Sequence, residues 1–529
     1  MSQPPRKRNT PRPPERPAAE AAPEAAKPRL TFTPDPHAHP APVAKRSRGL
    51  ALIAIILGSS LAFIDGSIVG VALPSIQGDL DASAGLIQWV VTGYLLVLGA
   101  LVLVGGAAGD RYGRRLVFLI GVAVFTLASV LCGAVWTAEN LIAGRVLQGL
   151  GAALLVPTSL ALIPVCFDEH ERGRAFGIWA GAGAIGGALG PVLGGWLTDA
   201  VSWRAVFFIN VPVALAAVTC ALIAIPESHD KEAGPPDWLG ALLAVTALGL
   251  FGWGLSSATD WGLASLEFWA VMAAGAAATV AFLAVERRSK HPMLPLDLFR
   301  FRAFSGVNLM TFALYLALGG VLYLLPFEWM RVDGRSAAQV GAGLLPFAAV
   351  MGLGSPFVGR LSERIGPRPF LIGGPAIAAM GFLLMTWPEA GADYWTRWFP
   401  ALITLAVGMT ITVAPLTTAL FASVDEDRTG LASGVNNAAA RVGGMVAVAL
   451  FTLIITLAFA WALDGSGEAV NARLAAVMGG GGFDAAVSSA EREAFRLGFR
   501  ICMAMAAVFG FAASAVAAAT VPKGKPTQQ

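Results

Sequence analysis

The chain has 529 residues, of which 56% are hydrophobic, only 13% are charged and 61 are glycine. Soluble proteins average about 25% charged residues, so this composition excludes an ordinary water-soluble domain and points to a bilayer. The formal net charge of +3 decides little, because in a membrane protein the placement of each Lys and Arg matters more than their sum.

Residues 1–48 are rich in Pro, Ala and Arg with almost no large apolar side chain, so they read as a disordered cytoplasmic tail. They carry no apolar h-region, which argues against a cleaved signal peptide. Their basic residues suit either attraction to anionic lipid or a solvated, topology-setting role.

From Gly49 onward, apolar runs of about 20 residues, the length a membrane helix requires, alternate with short polar breaks. Six are expected at 50–73, 86–106, 116–136, 141–166, 175–197 and 205–226. Two follow at 238–255 and 268–285, and six more at 304–330, 337–358, 370–387, 398–421, 431–461 and 497–521. The expected fold is therefore an all-α integral membrane protein of about fourteen helices. Its parts are a first bundle (49–226), an inserted helix pair with its loops (227–303), a second bundle (304–522) with a long outer loop (462–496), and a short cytoplasmic tail (523–529). Four cysteines, Cys132, Cys166, Cys220 and Cys502, lie in or beside apolar runs without CxxC or His/Cys spacing, so neither a disulfide framework nor a metal site is expected.

With the N-terminus placed in the cytoplasm, inner loops hold about twice as many Lys and Arg as outer loops. That holds even with Arg473, Arg492, Arg496 and Arg500 counted as outer residues. Both termini are thus expected to be cytoplasmic, in a multi-pass protein of the inner (plasma) membrane.

An internal repeat divides the chain. GAAGDRYGRR after the second helix matches GRLSERIGPR, pairing Asp110 with Glu363, Arg111 with Arg364, Gly113 with Gly366 and Arg115 with Arg368. DEHERGRAFG from Asp168 matches DEDRTGLASG from Asp425 at nearly the same offset. Near-equal offsets indicate two parallel bundles of one ancestry.

The fifth helix holds AGAIGGALGPVLGG, whose glycines and proline would be costly in a helix in water. In a bilayer the backbone must bond to itself, and small residues let helix backbones approach closely. Gly183, Gly187, Pro191 and Gly195 fall on one face, with Gly186, Gly190 and Gly194 on the next, which describes a groove. The alternative reading is that these glycines only tighten a helix contact.

This G-x-x-x-G-P-x-x-G-G stretch resembles the antiporter motif of drug/proton exporters of the major facilitator superfamily. DGSIVGVALP (65–74), LIAGRVLQGLG (141–151) and WRAVFFINVP (203–212) are similar to further motifs of the fourteen-helix drug/proton antiporter branch. Ser67 stands where that branch usually has Thr, and Gly70 where it usually has Asn. The resemblance spans nearly all of 49–521. It implies multidrug efflux and antibiotic resistance through proton exchange. It also implies a conformational latch made of Asp110, Arg111, Gly113, Arg114, Arg115, Glu363 and Arg364.

Intramembrane charges are few, and they carry the candidate chemistry. Asp65 and Arg145 are each expected about 22 Å from the cytoplasmic face, at matching depth. They are expected to pair with help from Gln148, either as a proton-coupling site or as a fixed structural ion pair. Burial favours a neutral acid and a nearby arginine favours a carboxylate, so a rocking motion that changes which dominates would load and unload a proton. Arg441 also lies near mid-depth and could bind an anionic substrate group or a backbone carbonyl. Glu328 could bind cations, but about 36 Å along its helix it reads better as a solvated residue at the outer interface. Trp89, Tyr94 and Tyr315 are candidate cavity aromatics.

No catalytic triad, metal-ligand spacing or phosphate-binding loop is visible, so an enzyme and ATP coupling are not expected. The expected function is proton-coupled efflux of lipophilic, often cationic compounds, with the proton gradient as energy source and no cofactor. Expected partners are the bilayer, a small-molecule substrate and protons, with a periplasmic adaptor protein left open and no nucleic acid. A dedicated exporter of one metabolite and a non-transporting sensor or scaffold remain as alternatives.

Overall fold

The computed structural model describes residues 45–230, 234–387, 393–424, 428–463, 473–474, 477–478 and 488–522. The N-terminal tail up to 44, the C-terminal tail 523–529, Asp425, Glu426 and most of the long loop lie outside the described residues. Among those described, thirteen helices are long and apolar enough to cross a membrane, and Arg368–Leu384 is a shorter apolar helix beside them.

In chain order the first six are α1 (Lys45–Asp79), α2 (Ala84–Tyr112), α3 (Arg114–Ala134), α4 (Ala138–Cys166), α5 (Glu169–Ala200) and α6 (Asn210–Ala224). A single turn, Ala205–Phe208, leads into α6. The inserted pair is α7 (Trp238–Trp261) and α8 (Leu266–Arg288). The last six are α9 (Arg302–Phe327), α10 (Ala337–Ile365), α11 (Arg368–Leu384), α12 (Phe399–Phe421), α13 (Thr429–Ala462) and α14 (Ser489–Thr520).

Local chemistry sets the ends of these helices. Ser83 caps α2, Thr137 caps α4 and Ser265 caps α8, each accepting a backbone N–H of the first turn. Ser336 with Gln339 and Ser488 with Glu491 form reciprocal capping boxes at the starts of α10 and α14. Gly113 (φ 118°) and Gly366 (φ 96°), the repeat-related glycines, turn the chain from α2 into α3 and from α10 into α11. Both dihedrals lie where side chains are rarely accommodated.

α1 packs on α5 and α6, and α4 packs on α2 and α3. In the second bundle α9 packs on α13 and α14, and α12 on α10 and α11. The bundles meet along two seams, α5 with α10 and α2 with α13, while α7 lies against both α2 and α13. Large apolar residues such as Leu127, Leu215 and Val280 remain exposed on the outside, where lipid would cover them.

One boundary differs in consequence from the sequence reading. α14 starts at Ser489 rather than 497, so Arg492 and Arg496 join Arg500 as helix residues and are not part of an outer loop. Its first two turns are polar enough to escape a hydropathy window, and the capping box is what begins the helix.

Candidate functional site

Asp65 on α1 and Arg145 on α4 form an ion pair with Oδ2 and Nη1 2.5 Å apart. The two side chains are 0% and 2% exposed. Arg145 Nη1 also donates to Gln148 Oε1 at 2.8 Å, and Gln148 Nε2 donates back to Asp65 Oδ1 at 3.1 Å, closing a three-residue ring. Arg145 Nε donates to the Val90 carbonyl at 3.0 Å, and its guanidinium lies 4.3 Å from the centre of the Tyr94 ring. A second layer holds Gln148. Its Nε2 donates to Ser129 Oγ at 3.2 Å, Asn210 Nδ2 donates to the same oxygen at 2.8 Å, and Ser129 donates to the Phe207 carbonyl. Nearly every polar atom is thereby satisfied without water, as a charge pair in a membrane interior requires. Ser129 and Asn210 were not anticipated from sequence.

The glycines of α5 form two contact surfaces at different places from those expected. Gly183, Gly186, Gly190 and Gly194 all face α1, with Phe63, Ile64, Ser67 and Ile68 against them. Pro191 and Gly195 face α10 instead. There a Cβ on Gly195 would collide with the Ala337 carbonyl, and one on Gly341 with the Pro191 carbonyl. Gly187, grouped by spacing with the close-packed positions, has no atom within 4 Å of where its Cβ would stand. Gly183 and Gly187 therefore do not share a packed face, because α5 is wedged between α1 and α10 and each covers only part of its circumference.

Of the expected latch, Asp110, Arg114 and Arg115 bond to one another and to the chain that follows the first bundle. Arg114 pairs with Asp110 at 2.8 Å, and Arg115 Nη1 donates to the Ile225 carbonyl at 2.9 Å. Glu227, unremarked in the sequence, accepts the backbone N–H groups of Arg115 and Leu116, capping the start of α3. The Arg114 N–H donates to Ser228 and the Asp230 N–H to Asp110. The motif thus clamps the irregular segment leading to the inserted pair. Beside it opens a cavity of about 350 Å³ lined by Asp110, Asp230, Asp237 and His291, among others. Arg111 lies at the exposed end of α2 and Arg364 is exposed on α10, while the side chain of Glu363 lies outside the described residues.

At the far end, Glu328 corrects the sequence reading most clearly. It is 1% exposed rather than solvated, and Arg496 Nε donates to its Oε1 at 2.9 Å. Arg496, 2% exposed, also donates to Asp333 Oδ1 at 3.1 Å, and Asp333 Oδ2 accepts Trp398 Nε1 at 3.2 Å. The length arithmetic concerned only distance along α9. It could not foresee that α9 ends in a π-turn, Glu328–Val332, roofed by Trp329 and Trp398. From this turn Arg331 donates to the Pro74 carbonyl of α1 and to the Met478 carbonyl, while Asp199 of α5 accepts the Ala338 N–H of α10. These bonds hold the two bundles together at the far end.

The aromatics divide. Tyr94 is buried in the ion-pair site, its hydroxyl 3.5 Å from the Ala62 carbonyl. Trp89 lies beside Gly252 of the inserted α7, so it packs on the added pair rather than lining a central cavity. Arg441 of α13 backs onto Gly99 of α2, at the seam between bundles, where Tyr94 and Tyr315 are both within electrostatic reach.

The sequence profile of the Major Facilitator Superfamily matches residues 55–448. The chain is 34% identical over 408 residues to the Tetracenomycin C resistance and export protein of Streptomyces glaucescens, covering 76% of this chain and 75% of that one. It is 33% identical over 416 residues to the Multidrug resistance protein Stp of Mycobacterium tuberculosis (strain CDC 1551 / Oshkosh), covering 78% and 76%. Its fold resembles the crystal structure of a bacterial homolog of the human lysosomal transporter Spinster, with TM-score 0.62 and 19% identity over 91% of this chain and 99% of that one. A matched profile across most of the helices, repeat-related bundles and relatives named for antibiotic resistance lead to one assignment: the chain belongs to the major facilitator superfamily, as a multi-pass membrane transporter of small molecules and not an enzyme.

Proposed function

We propose that this protein expels lipophilic drugs or toxic compounds across the plasma membrane by alternating access, driven by proton exchange at Asp65, within the fourteen-helix branch of the superfamily. The observation that carries the reading is the fully buried Asp65–Arg145–Gln148 ring, a titratable group in the membrane interior with an alternative partner beside it. Intramembrane carboxylates of this kind mark ion and proton pathways. Relatives named for export of one antibiotic and for multidrug resistance support efflux, and they leave open how broad the substrate range is.

With the arginine-rich end in the cytoplasm, the bonds of Arg331 and Asp199 close the outer side. Exchange with the outside then requires those bonds to break as the bundles rock. Because a proton can shift such an equilibrium only through unequal affinity for the two states, the Asp65 ring must loosen in one of them.

The test is pH-gradient-driven uptake by inside-out membrane vesicles of lipophilic dyes of either charge, alongside binding of the transported dye to purified protein. Asp65→Asn keeps shape and hydrogen bonding but cannot titrate. Gradient-driven efflux should fall at least about tenfold while binding changes less than about threefold. Full gradient-driven efflux by this variant would move the coupling site elsewhere, with Glu328 next in line.

A further inference from the structure

Once Asp65 is neutralised by Arg145, one guanidinium at mid-membrane still lacks a counter-ion. Among the described residues Arg441 makes no hydrogen bond and no ion pair, although it is half-buried at the seam between α13 and α2. Tyr315, on α9 of the same bundle, likewise makes no hydrogen bond through its hydroxyl, and Asn437 stands one turn before Arg441 on the same face of α13. None of these three side chains has a polar atom among those that are sealed from solvent and unpartnered, so each polar end reaches open space. Gln88 and Thr92 of α2 are sealed without partners, but the other charged groups of the membrane interior are tied down. The Asp65 ring is closed, Glu328 is bonded to Arg496, and Asn436 donates to Asn308 and Thr311. A cation and two neutral polar groups left with spare capacity at the joint between two moving bundles are the reverse of what structural packing produces.

We infer that Arg441, with Tyr315 and Asn437, forms a subsite for an acidic group, so that the transported compounds include organic anions carried on an aromatic frame. The inference rests on the efflux reading and narrows its substrate class. An arginine without a counter-ion raises the local potential against a cationic ligand and supplies a fork of donors to a carboxylate or phenolate. Tyr315 offers ring surface within reach of the same charge. This selects against the lipophilic cations that the family resemblance first suggests.

The test uses two dyes that share a xanthene frame and differ in charge, fluorescein as the anion and rhodamine 6G as the cation. Binding to the purified full-length protein is measured in nanodiscs of phosphatidylcholine, so that no anionic lipid competes, and transport is followed in inside-out vesicles. The wild type should bind fluorescein at least about tenfold more tightly than rhodamine 6G. Arg441→Gln should erase that difference, Arg441→Lys should keep most of it, and Tyr315→Phe should reduce it several-fold. Equal or reversed preference in the wild type, or unchanged fluorescein affinity in Arg441→Gln, overturns the subsite. If rhodamine 6G is nevertheless expelled along the pH gradient, the efflux reading stands without it. If neither dye binds or moves, the efflux reading falls and the subsite falls with it.

Discussion

Gly190 is the position where one carbon atom separates two outcomes. A Cβ there would collide with Ser67 Oγ, stand 3.0 Å from Ser67 Cβ and 3.1 Å from the Ile64 carbonyl oxygen. The serine hydroxyl is held in place by bonds to the Phe63 and Ile64 carbonyls at 3.2 and 3.0 Å, so Gly190→Ala must break those and push α1 from α5 by a few tenths of an ångström. Overpacking of this kind costs about 1–3 kcal/mol. A lost hydrogen bond adds about 1 kcal/mol, and replacing a helical glycine recovers up to about 1 kcal/mol. The net expectation is a loss of about 1–3 kcal/mol. Gly187→Ala, three residues earlier, meets no atom within 4 Å and should be neutral or stabilising by up to about 1 kcal/mol. Ser67→Ala removes the colliding oxygen and leaves only the two contacts near 3 Å, so the Ser67→Ala/Gly190→Ala double variant should regain at least about 1 kcal/mol relative to the sum of the single changes. The assay is reversible thermal or denaturant unfolding of the purified protein in nanodiscs, with vesicle efflux measured in parallel. Equal stability of Gly190→Ala and Gly187→Ala, or no coupling to Ser67, would refute the assignment of these glycines to different surfaces of α5.

Two further predictions concern charge. Arg496→Met removes the arginine bonded to the buried Glu328, while Asp333 keeps Arg335 and Trp398, and should cost about 3–5 kcal/mol, seen as a collapse of membrane abundance. Glu328→Gln, which keeps an acceptor for Arg496, should be tolerated far better, and equal abundance of the two variants would contradict the network. At the arginine-rich end, Arg428 beside Asp297 holds that carboxyl below its ordinary value. A lowered folded-state value stabilises above the unfolded value of about 4 and is lost as pH falls through the folded one. Because both side chains are nearly half exposed, Asp297→Asn should cost no more than about 0.5 kcal/mol at pH 7 and progressively less as the pH falls toward 2 in thermal unfolding. A cost that persists undiminished at pH 2 would mean the effect is not the ion pair.

What could be read in the sequence was what a bilayer makes scarce. Asp65, Arg145 and Gln148 stood out because polar residues in apolar runs are few, and helix rise alone put two of them at one depth. Gly113 and Gly366 stood out because a repeat displayed them twice, and both prove to have positive φ. Ser129 and Asn210 could not be read, since small polar residues are common in membrane helices and nothing local says which of them meet across α3, α4 and α6. Glu227 was hidden for the opposite reason. It lies in a polar connector, and only the close return of the chain to the start of α3 makes it a cap. The faces of α5 were half legible, because spacing fixes which glycines share a side but not whether α1, α10 or open space stands opposite.

The repeat makes the location of the charges an argument about mechanism. Equivalent close approaches fix the register between halves: Gly121 against the Leu155 amide corresponds to Gly374 against the Thr412 amide, and Gly151 against Phe125 to Gly408 against Ala378. In that register Ser129, Arg145 and Gln148 correspond to Phe382, Leu402 and Leu405, all buried in the apolar core of the second bundle. The second bundle therefore keeps the packing of the first at these positions and replaces its polar ring with hydrocarbon. On the proposed coupling, a proton at Asp65 would change the interior of one bundle only, and it could bias a rocking equilibrium only through contacts that differ between states. Arg145 lies over the Tyr94 ring of α2, and Arg441 packs against Gly99 of the same helix at the α2–α13 seam. The seam that carries the candidate substrate charge is thus the same one that would feel the proton.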